Sequence, residues 1–302
     1  MEEGSIIFVV CLIGIISSGF SLFTLTITLL DTTIRSRPST VPIASFLVAS
    51  VLLGLLALPM YLYRKLSDNH SVLGICDLYR VPYFFCGHIM TMSLFYVSLD
   101  RLFVIIKPFK YRDTVTTSKF KLLVITSWVV TAIIDALPFK FHSRSTDGCV
   151  YTPTKDWGVG VIIIYIIVPL ITIVTSYSLI WVKAVKIALE EERLRVSATP
   201  ADNNSQKHHH HSIVELKATK TTIVLIVTYI LCWGPLGIFY MVDQFCDNCY
   251  SSNERLSVFR TTIKILALAS SFIAPVVYCW WNKEFRKATC KIFQKYKSKI
   301  ES

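Results

Sequence analysis

An all-α membrane protein is the fold class this sequence predicts: a seven-transmembrane-helix bundle with a short amphipathic eighth helix. Three observations carry it. The 302 residues are 53% hydrophobic and 17% charged, where a soluble domain carries about 25% charged residues, and the mean hydropathy is +0.54. Seven apolar segments follow one another, each close to the ~20 residues that the hydrocarbon core demands. Lys and Arg gather in alternate connections between them. The net charge of +11 is spread between and after the apolar segments, so it implies no nucleic-acid partner.

The spans read in order as Ile6–Leu30, Val41–Tyr63, Tyr79–Ile106, Leu122–Leu137, Val159–Val182, Thr221–Val242 and Arg260–Trp281. The first run starts almost at once, is too long for a signal-peptide core and lacks a basic leader, so it is expected to be a spanning helix that directs insertion. Lys183 to Lys220 is the longest polar connection, and Asp243 to Phe259 is expected as a short loop. Residues 1–281 form the expected bundle and 282–302 an amphipathic helix and tail. That tail alternates basic residues with Phe285, Ile292 and Phe293, which suits an anionic inner leaflet and makes membrane lipids a partner.

Basic residues concentrate in the first, third and fifth connections and in the tail, whereas Glu2 and Glu3 lie at the amino end. The positive-inside rule then puts the amino terminus outside and the carboxyl terminus in the cytoplasm, as expected for a multi-pass protein of the plasma membrane. Cys76 and Cys149 fall on the oxidising outer side, where a bridge between them is allowed. Cys246 and Cys249, in the last outer loop, suit either a small disulfide ring or a zinc pair, although no His lies near them. Cys11, Cys86, Cys232 and Cys279 lie inside spans as small apolar packers. Cys290 lies in the basic tail, a setting for palmitoylation. Asn69-His70-Ser71 is an outward glycosylation sequon, and Asn203-Asn204-Ser205 is one on the inner side.

The third span delivers Asp100-Arg101-Leu102 to the inner face, where Lys107-Pro108 follows. Charges at membrane depth are costly and usually functional, although an Arg at a helix end also reads as a snorkelling side chain. Pro235 and Pro275 sit mid-span, where a missing N–H and a ring clash kink a helix. Trp233 lies within a turn of Pro235, and Tyr177 and Tyr278 are phenols on the inner halves of their spans.

These residues together resemble the rhodopsin-like (class A) G-protein-coupled receptors over nearly the whole chain. Asp100-Arg101-Leu102 resembles Asp-Arg-Tyr, with Leu in third place. Trp128 and Pro138 match the fourth helix, Pro169 and Tyr177 the fifth, and Cys232-Trp233-Gly234-Pro235 the sixth. Ala274-Pro275-Val276-Val277-Tyr278 resembles Asn-Pro-x-x-Tyr with Ala for Asn, and Phe285 falls at the aromatic anchor of the following helix. The resemblance implies a Cys76–Cys149 bridge. It also implies a switch built from Asp100, Arg101, Tyr177, Glu215, Pro235, Pro275 and Tyr278, with Arg101 pairing at rest with Asp100 and Glu215. It implies a heterotrimeric G protein as partner.

The sequence departs from the family where a sodium ion is bound. Ser50 stands for the second-helix Asp and Ala274 for the seventh-helix Asn, while Gly19 or Ser21 takes the first-helix place. No carboxylate remains for the ion, so sodium regulation is not expected.

The ligand is expected in the outer half. Arg80, Tyr83, Phe84 and Gly87 share a helical face, and Trp233 and Tyr240 lie on the sixth span. Arg260 and Lys264 stand one turn apart on the seventh. These cations either snorkel or, with Arg80, form an anion site for a carboxylate or phosphate. Tyr83 occupies the place where the family's amine receptors carry Asp, and Leu268 the place of the opsin lysine, so neither an amine nor retinal is expected. His208 to His211 read as a polar loop more readily than as a metal site. No catalytic constellation, cofactor or metal site is expected. A small extracellular ligand, anionic or lipid-like, is the expected partner. The alternatives are a constitutively active or decoy receptor-like protein and a transporter, whose inverted repeats are not evident.

Overall fold

The computed structural model describes residues 2–66, 75–137, 155–197, 203–245 and 254–300. Apart from isolated positions, its side chains are placed over 14–63, 80–137, 156–190, 219–242 and 258–298. Helix α1 (Glu2–Leu30) ends at Asp31, whose carboxylate accepts the Thr33 and Ile34 N–H groups at 2.9 Å and so starts the one-turn α2 (Thr32–Arg35). Helix α3 (Thr40–Leu52) runs through a π-helical turn (Leu53–Ala57) into α4 (Leu58–Leu66). Helix α5 (Ile75–Ile106) is the third span. It stops where Pro108 begins α6 (Pro108–Thr114), because proline suits a first helical turn and cannot extend the preceding helix. Thr116 then caps α7 (Thr117–Ala136). Helix α8 (Lys155–Ile162) passes through a second π-helical turn (Ile163–Ile167) into α9 (Val168–Ser197). Helices α10 (Asn203–Phe245) and α11 (Glu254–Trp281) follow. Asn282 then accepts the Glu284 and Phe285 N–H groups at 3.0 and 3.1 Å to cap α12 (Lys283–Ile300).

Both π-helical turns have one cause. Pro59 and Pro169 each lie two residues beyond a π-helical segment, so their rings crowd the carbonyls of Leu55 and Tyr165, four residues earlier and inside the widened turns. Inserting one residue into the turn relieves that clash while keeping the helix continuous through a medium that offers no water to freed backbone groups.

Among the described residues, six helices are long and apolar enough to cross a membrane: Thr40–Tyr63, Arg80–Ile106, Thr117–Ala136, Asp156–Glu190, Thr219–Val242 and Val258–Trp281. The described apolar part of α1, Gly14–Leu30, is shorter. The span in α5 is 56% buried and that in α7 only 11%, so α5 is the axis of the bundle and α7 a peripheral stave. Helix α5 packs on α3, α4, α7, α9 and α10, while α11 lies between α1 and α10. Trp128 of α7 donates to Ser45 of α3 at 2.9 Å, and Ser93 of α5 donates to the same hydroxyl at 3.1 Å. This three-helix junction is needed because lipid offers no hydrophobic drive between helices, leaving packing and polar contacts to hold them.

Three sequence expectations change. The polar connection Lys183–Lys220 is largely helical: α9 runs to Ser197 and α10 begins at Asn203. Its Glu, Lys, Leu and Ala residues are strong helix formers, and Glu–Lys/Arg pairs one turn apart support them. The expected outer loop Asp243–Phe259 contracts in the same way, with α10 reaching Phe245 and α11 starting at Glu254. The fourth span starts at Thr117 rather than Leu122 because Thr116 supplies the cap. Beyond the bundle, Phe285 is 2% exposed and packs edge-on to Tyr278 (5.7 Å) and Phe23 (6.5 Å). Arg37 pairs with Glu284 at 2.7 Å. These contacts fasten α12 to the inner end of α1 and α11.

Helix α1 crosses the α3–α4 break closely at Gly54, where an added Cβ would stand 2.4 Å from Ser18 Oγ and 3.3 Å from the Gly14 carbonyl. Gly54→Leu is expected to force this crossing apart and to cost about 1–3 kcal/mol, read as a lowered melting temperature of the purified protein in detergent. A melting temperature equal to wild type would show that the crossing is looser than described.

Candidate functional site

The carboxyl-terminal end of α5, expected on the inner side, holds a buried ion pair. Arg101 Nη2 donates to Asp100 Oδ2 at 2.6 Å and Nε donates to the same oxygen at 3.1 Å. Nη2 also donates to Ser39 Oγ at 2.9 Å, and Tyr111 OH donates to Asp100 Oδ1 at 2.6 Å. The two charged side chains are 8% and 0% exposed. Arg101 therefore does not snorkel to water: it is drawn inward by three acceptor contacts on Asp100 and Ser39. Asp100 lies beside it on the chain, Ser39 just before α3, and Tyr111 in α6, so the inner connections close over the pair.

Of the other residues expected in the switch, Tyr278 is buried and Tyr177 half-buried, and both phenols lie close enough to feel the Arg101 charge. The Tyr177 hydroxyl sits near Ser98 and Thr222 with no hydrogen bond of good geometry to either. Such a buried polar group left unmatched is a strain that another arrangement can relieve. Glu215 lies within α10, but its side chain is outside the described residues, as is any contact with Arg101.

Midway up the bundle, the place of the family's ion site is filled by hydroxyls. Ser21 and Ser50 hydroxyls meet at 3.2 Å, and both donate to the Ser271 carbonyl, at 3.1 and 3.0 Å. Ser17 meets Ser271 Oγ at 3.2 Å. Ala274 is fully buried. This geometry decides between Gly19 and Ser21: Gly19 has no neighbour within 4 Å of an added Cβ, whereas Ser21 faces Ser50.

Above this layer, Trp233 of α10 lies against Gly87 of α5. A Cβ at Gly87 would meet the indole at 2.3 Å, so only glycine admits the ring. Trp233 Nε1 donates to Ser270 Oγ of α11 at 2.9 Å. Tyr229, one turn away on α10, donates to the Gly87 carbonyl at 2.8 Å and meets Thr91 Oγ1 at 2.7 Å. Tyr83 is 2% exposed, tilts against Trp233 at 5.4 Å, and donates to the Lys264 carbonyl at 3.3 Å. Phe84 meets Tyr83 and Tyr240 edge-on, each at 5.4 Å. The expected aromatic ligand residues are thus brought together around Trp233. Arg80 is half-buried, and Arg260 is exposed with its guanidinium 5.3 Å above the Phe239 ring, a cation–π contact.

Cys149, Cys246, Cys249 and Asn69 lie outside the described residues, and the Cys76 side chain does too. Cys290 is exposed on α12. Cys86 and Cys232 are buried thiols, as their place in the spans implies.

Sequence reasoning missed several partners. Ser39 and Tyr111 lie in short connections, and nothing in their spacing points to Asp100 and Arg101. His88 and Asp135 did carry a signal: both are ionisable residues inside apolar spans, where such groups mark function. His88 Nδ1 lies 3.0 and 3.1 Å from the two Asp135 oxygens.

Residues 21–278 match the family described as 7 transmembrane receptor (rhodopsin family). Among curated proteins, the chain is 20% identical to the D(1A) dopamine receptor of Xenopus laevis, over 87% of this chain and 66% of that one. It is 27% identical to the 5-hydroxytryptamine receptor 4 of Cavia porcellus, over 66% of this chain and 56% of that one. It is 21% identical to the octopamine receptor beta-1R of Drosophila melanogaster, over 82% and 53%. The chain therefore spans between about half and two thirds of the length of these relatives.

The serine cluster generates a prediction. Neutral hydroxyls already donating to backbone carbonyls are a poor exchange for the hydration shell of a hard cation. The melting temperature of the purified protein is expected to be the same in sodium chloride and in choline chloride at equal ionic strength. A rise specific to sodium would contradict it.

Proposed function

Because the chain belongs to the rhodopsin family of seven-transmembrane receptors, we propose that it binds a small extracellular ligand between the outer halves of α5, α10 and α11 and activates a heterotrimeric G protein from its inner face. The family is a receptor family and not an enzyme family, and the chain is a multi-pass membrane protein. The reading places it in the plasma membrane with the amino terminus outside, as the loop charges require.

The observation that carries the reading is the buried Asp100–Arg101 pair at the inner end of the central helix. Arg101 lies some 25 residues below the outer end of α5, roughly 35–40 Å at 1.5 Å per residue, so no outer ligand touches it. Its guanidinium offers five donors in a fixed fork, suited to the carbonyls of an inserted partner helix. At rest Asp100 and Ser39 occupy it. A ligand that favours a rearranged bundle shifts the population toward states in which it is free. Tyr278, buried, and Tyr177, half-buried with its hydroxyl enclosed, are the groups to receive it there, and the Tyr177 hydroxyl gains a partner. The helices carrying Pro235 and Pro275 supply the deformable segments.

At the outer side, Tyr83 stands where the family's amine receptors carry Asp, so the ligand is not recognised through that acid. Arg80, Arg260 and Lys264 make the rim cationic and suit a ligand with a carboxylate or phosphate. Lipid tails or a flat ring suit the aromatic floor of Phe84, Tyr240 and Trp233. A second reading rests on Ser50, Leu102 and Ala274, which depart from the family at positions tied to switching: a receptor that signals without ligand. Ligand-independent nucleotide exchange measured in membranes separates the two.

Arg101→Ala is expected to abolish nucleotide exchange on added G protein while surface delivery is retained. Exchange at the wild-type level at matched surface density would sink the inner-face mechanism. Glu215→Ala is expected to raise ligand-independent exchange modestly, a change within about 0–1 kcal/mol if the side chain is water-exposed; a fall would remove Glu215 from the resting contact. Peptide mapping of intact protein is expected to recover Cys76 and Cys149 as one linked pair. Recovery of both as free thiols would refute the bridge. Asn69→Gln is expected to speed migration to that of the deglycosylated protein, and a shift with Asn203→Gln would overturn the topology.

A further inference from the structure

His88 of α5 is fixed more tightly than a packing residue needs to be. Its Nδ1 lies 3.0 and 3.1 Å from the two oxygens of Asp135 of α7, a carboxylate 4% exposed. Its ring stacks on Tyr165 at 4.1 Å and 18°, and Phe84 lies on it at 6.1 Å and 26°. Tyr165 belongs to the π-helical turn before Pro169 and donates to Thr131 Oγ1 of α7 at 2.9 Å. The ring is therefore set in plane and rotation by three helices. Asp135, as acceptor, selects the tautomer with hydrogen on Nδ1, because the bond made by one imidazole nitrogen fixes the proton of the other. In the neutral ring Nε2 then carries a lone pair. Among the described residues it has no hydrogen-bond partner, and the side chain keeps 14% exposure.

Phe84, which covers one side of the ring, is itself in contact with Tyr83 and with Tyr240 of α10, so His88 borders the aromatic cluster around Trp233. A lone pair oriented from behind by a buried carboxylate and flanked by two parallel rings is an acceptor for one hydrogen-bond donor on a flat molecule. We propose that His88 is a ligand-recognition subsite at the deep end of the outer cavity, taking an O–H or N–H donor carried on an aromatic ring, with Asp135 as its positioning residue. This rests on the reading of that cavity as the ligand site and adds a chemical requirement to it: a donor at the deep end opposite the cationic rim.

The test uses phenol as the probe and anisole, the same ring without a donor, as the control. The full chain carries 15N-histidine, sits in phosphatidylcholine nanodiscs and meets no G protein, so a failure of coupling and a failure of the subsite are separate results. The His88 resonances are identified by their absence in His88→Phe. Three results are expected: Nε2 unprotonated in the wild type; a shift of its signal with phenol and none with anisole; and phenol affinity about three- to tenfold weaker in the double variant His88→Phe, Asp135→Leu, the loss of one hydrogen bond. The double variant removes both polar partners together, so no lone carboxylate is left buried. Asp135→Asn keeps an acceptor for Nδ1–H and is expected to retain the phenol shift. A proton on Nε2 in the wild type, equal shifts from phenol and anisole, or full phenol affinity in the double variant would overturn the proposal. A shift produced by cholesterol in the nanodisc and not by phenol would overturn it in favour of a lipid hydroxyl entering from the membrane.

Discussion

The pairing of Arg101 with Asp100 at the foot of the central helix is the constraint on which the rest of the structure depends. A guanidinium and a carboxylate, 8% and 0% exposed, cannot be tolerated at that depth singly. Losing one partner of a buried pair costs about 3–5 kcal/mol. Every neighbouring element is arranged to satisfy them: Ser39 before α3 accepts from Arg101, and Tyr111 of α6 donates to Asp100. Through these contacts the connection before α3 and the short helix α6 close on the foot of α5. A burial this costly is stable only while its partners are in place, and so it can serve as a two-state element.

Above the pair, the bundle is held by polar contacts rather than by apolar surface alone, as expected in lipid. Serine hydroxyls join α1, α3 and α11, and Tyr229 and Trp233 bind α10 to α5 and α11. Gly87 and Gly54 let helices approach where any side chain would intervene. Pro59 and Pro169 widen two turns and Pro235 and Pro275 lie inside α10 and α11, so four helices carry a site of lowered stiffness at membrane depth. One of those turns presents Tyr165 to His88, so a backbone accommodation to proline also sets the surroundings of that histidine.

How much was legible in the sequence follows from the kind of interaction. The seven apolar runs, the inner Asp100-Arg101 and the order of motifs are properties of single segments, and the family match over residues 21–278 bears the recognition out. The helical extensions replacing the Lys183–Lys220 connection were obscured because polar composition reads as loop when the only pattern sought is apolar length, although Glu, Lys and Ala favour helix. Partners across helices were not legible. Nothing within residues 31–40 announces that Ser39 meets a residue 62 positions later, and the Ser21–Ser50–Ser271 cluster reads in sequence only as the absence of a carboxylate. His88 and Asp135 are ionisable groups in apolar runs, a signal the sequence reading passed over, and only packing shows that they meet and that Nε2 is left over.

The most direct measurement of the central claim is ligand-independent nucleotide exchange by a heterotrimeric G protein on membranes carrying Asp100→Asn at wild-type surface density. Removing the charge that holds Arg101 inward weakens the resting pair and leaves the guanidinium itself intact, so exchange is predicted to rise above wild type. Exchange at or below the wild-type level would contradict the claim that this pair holds the receptor at rest.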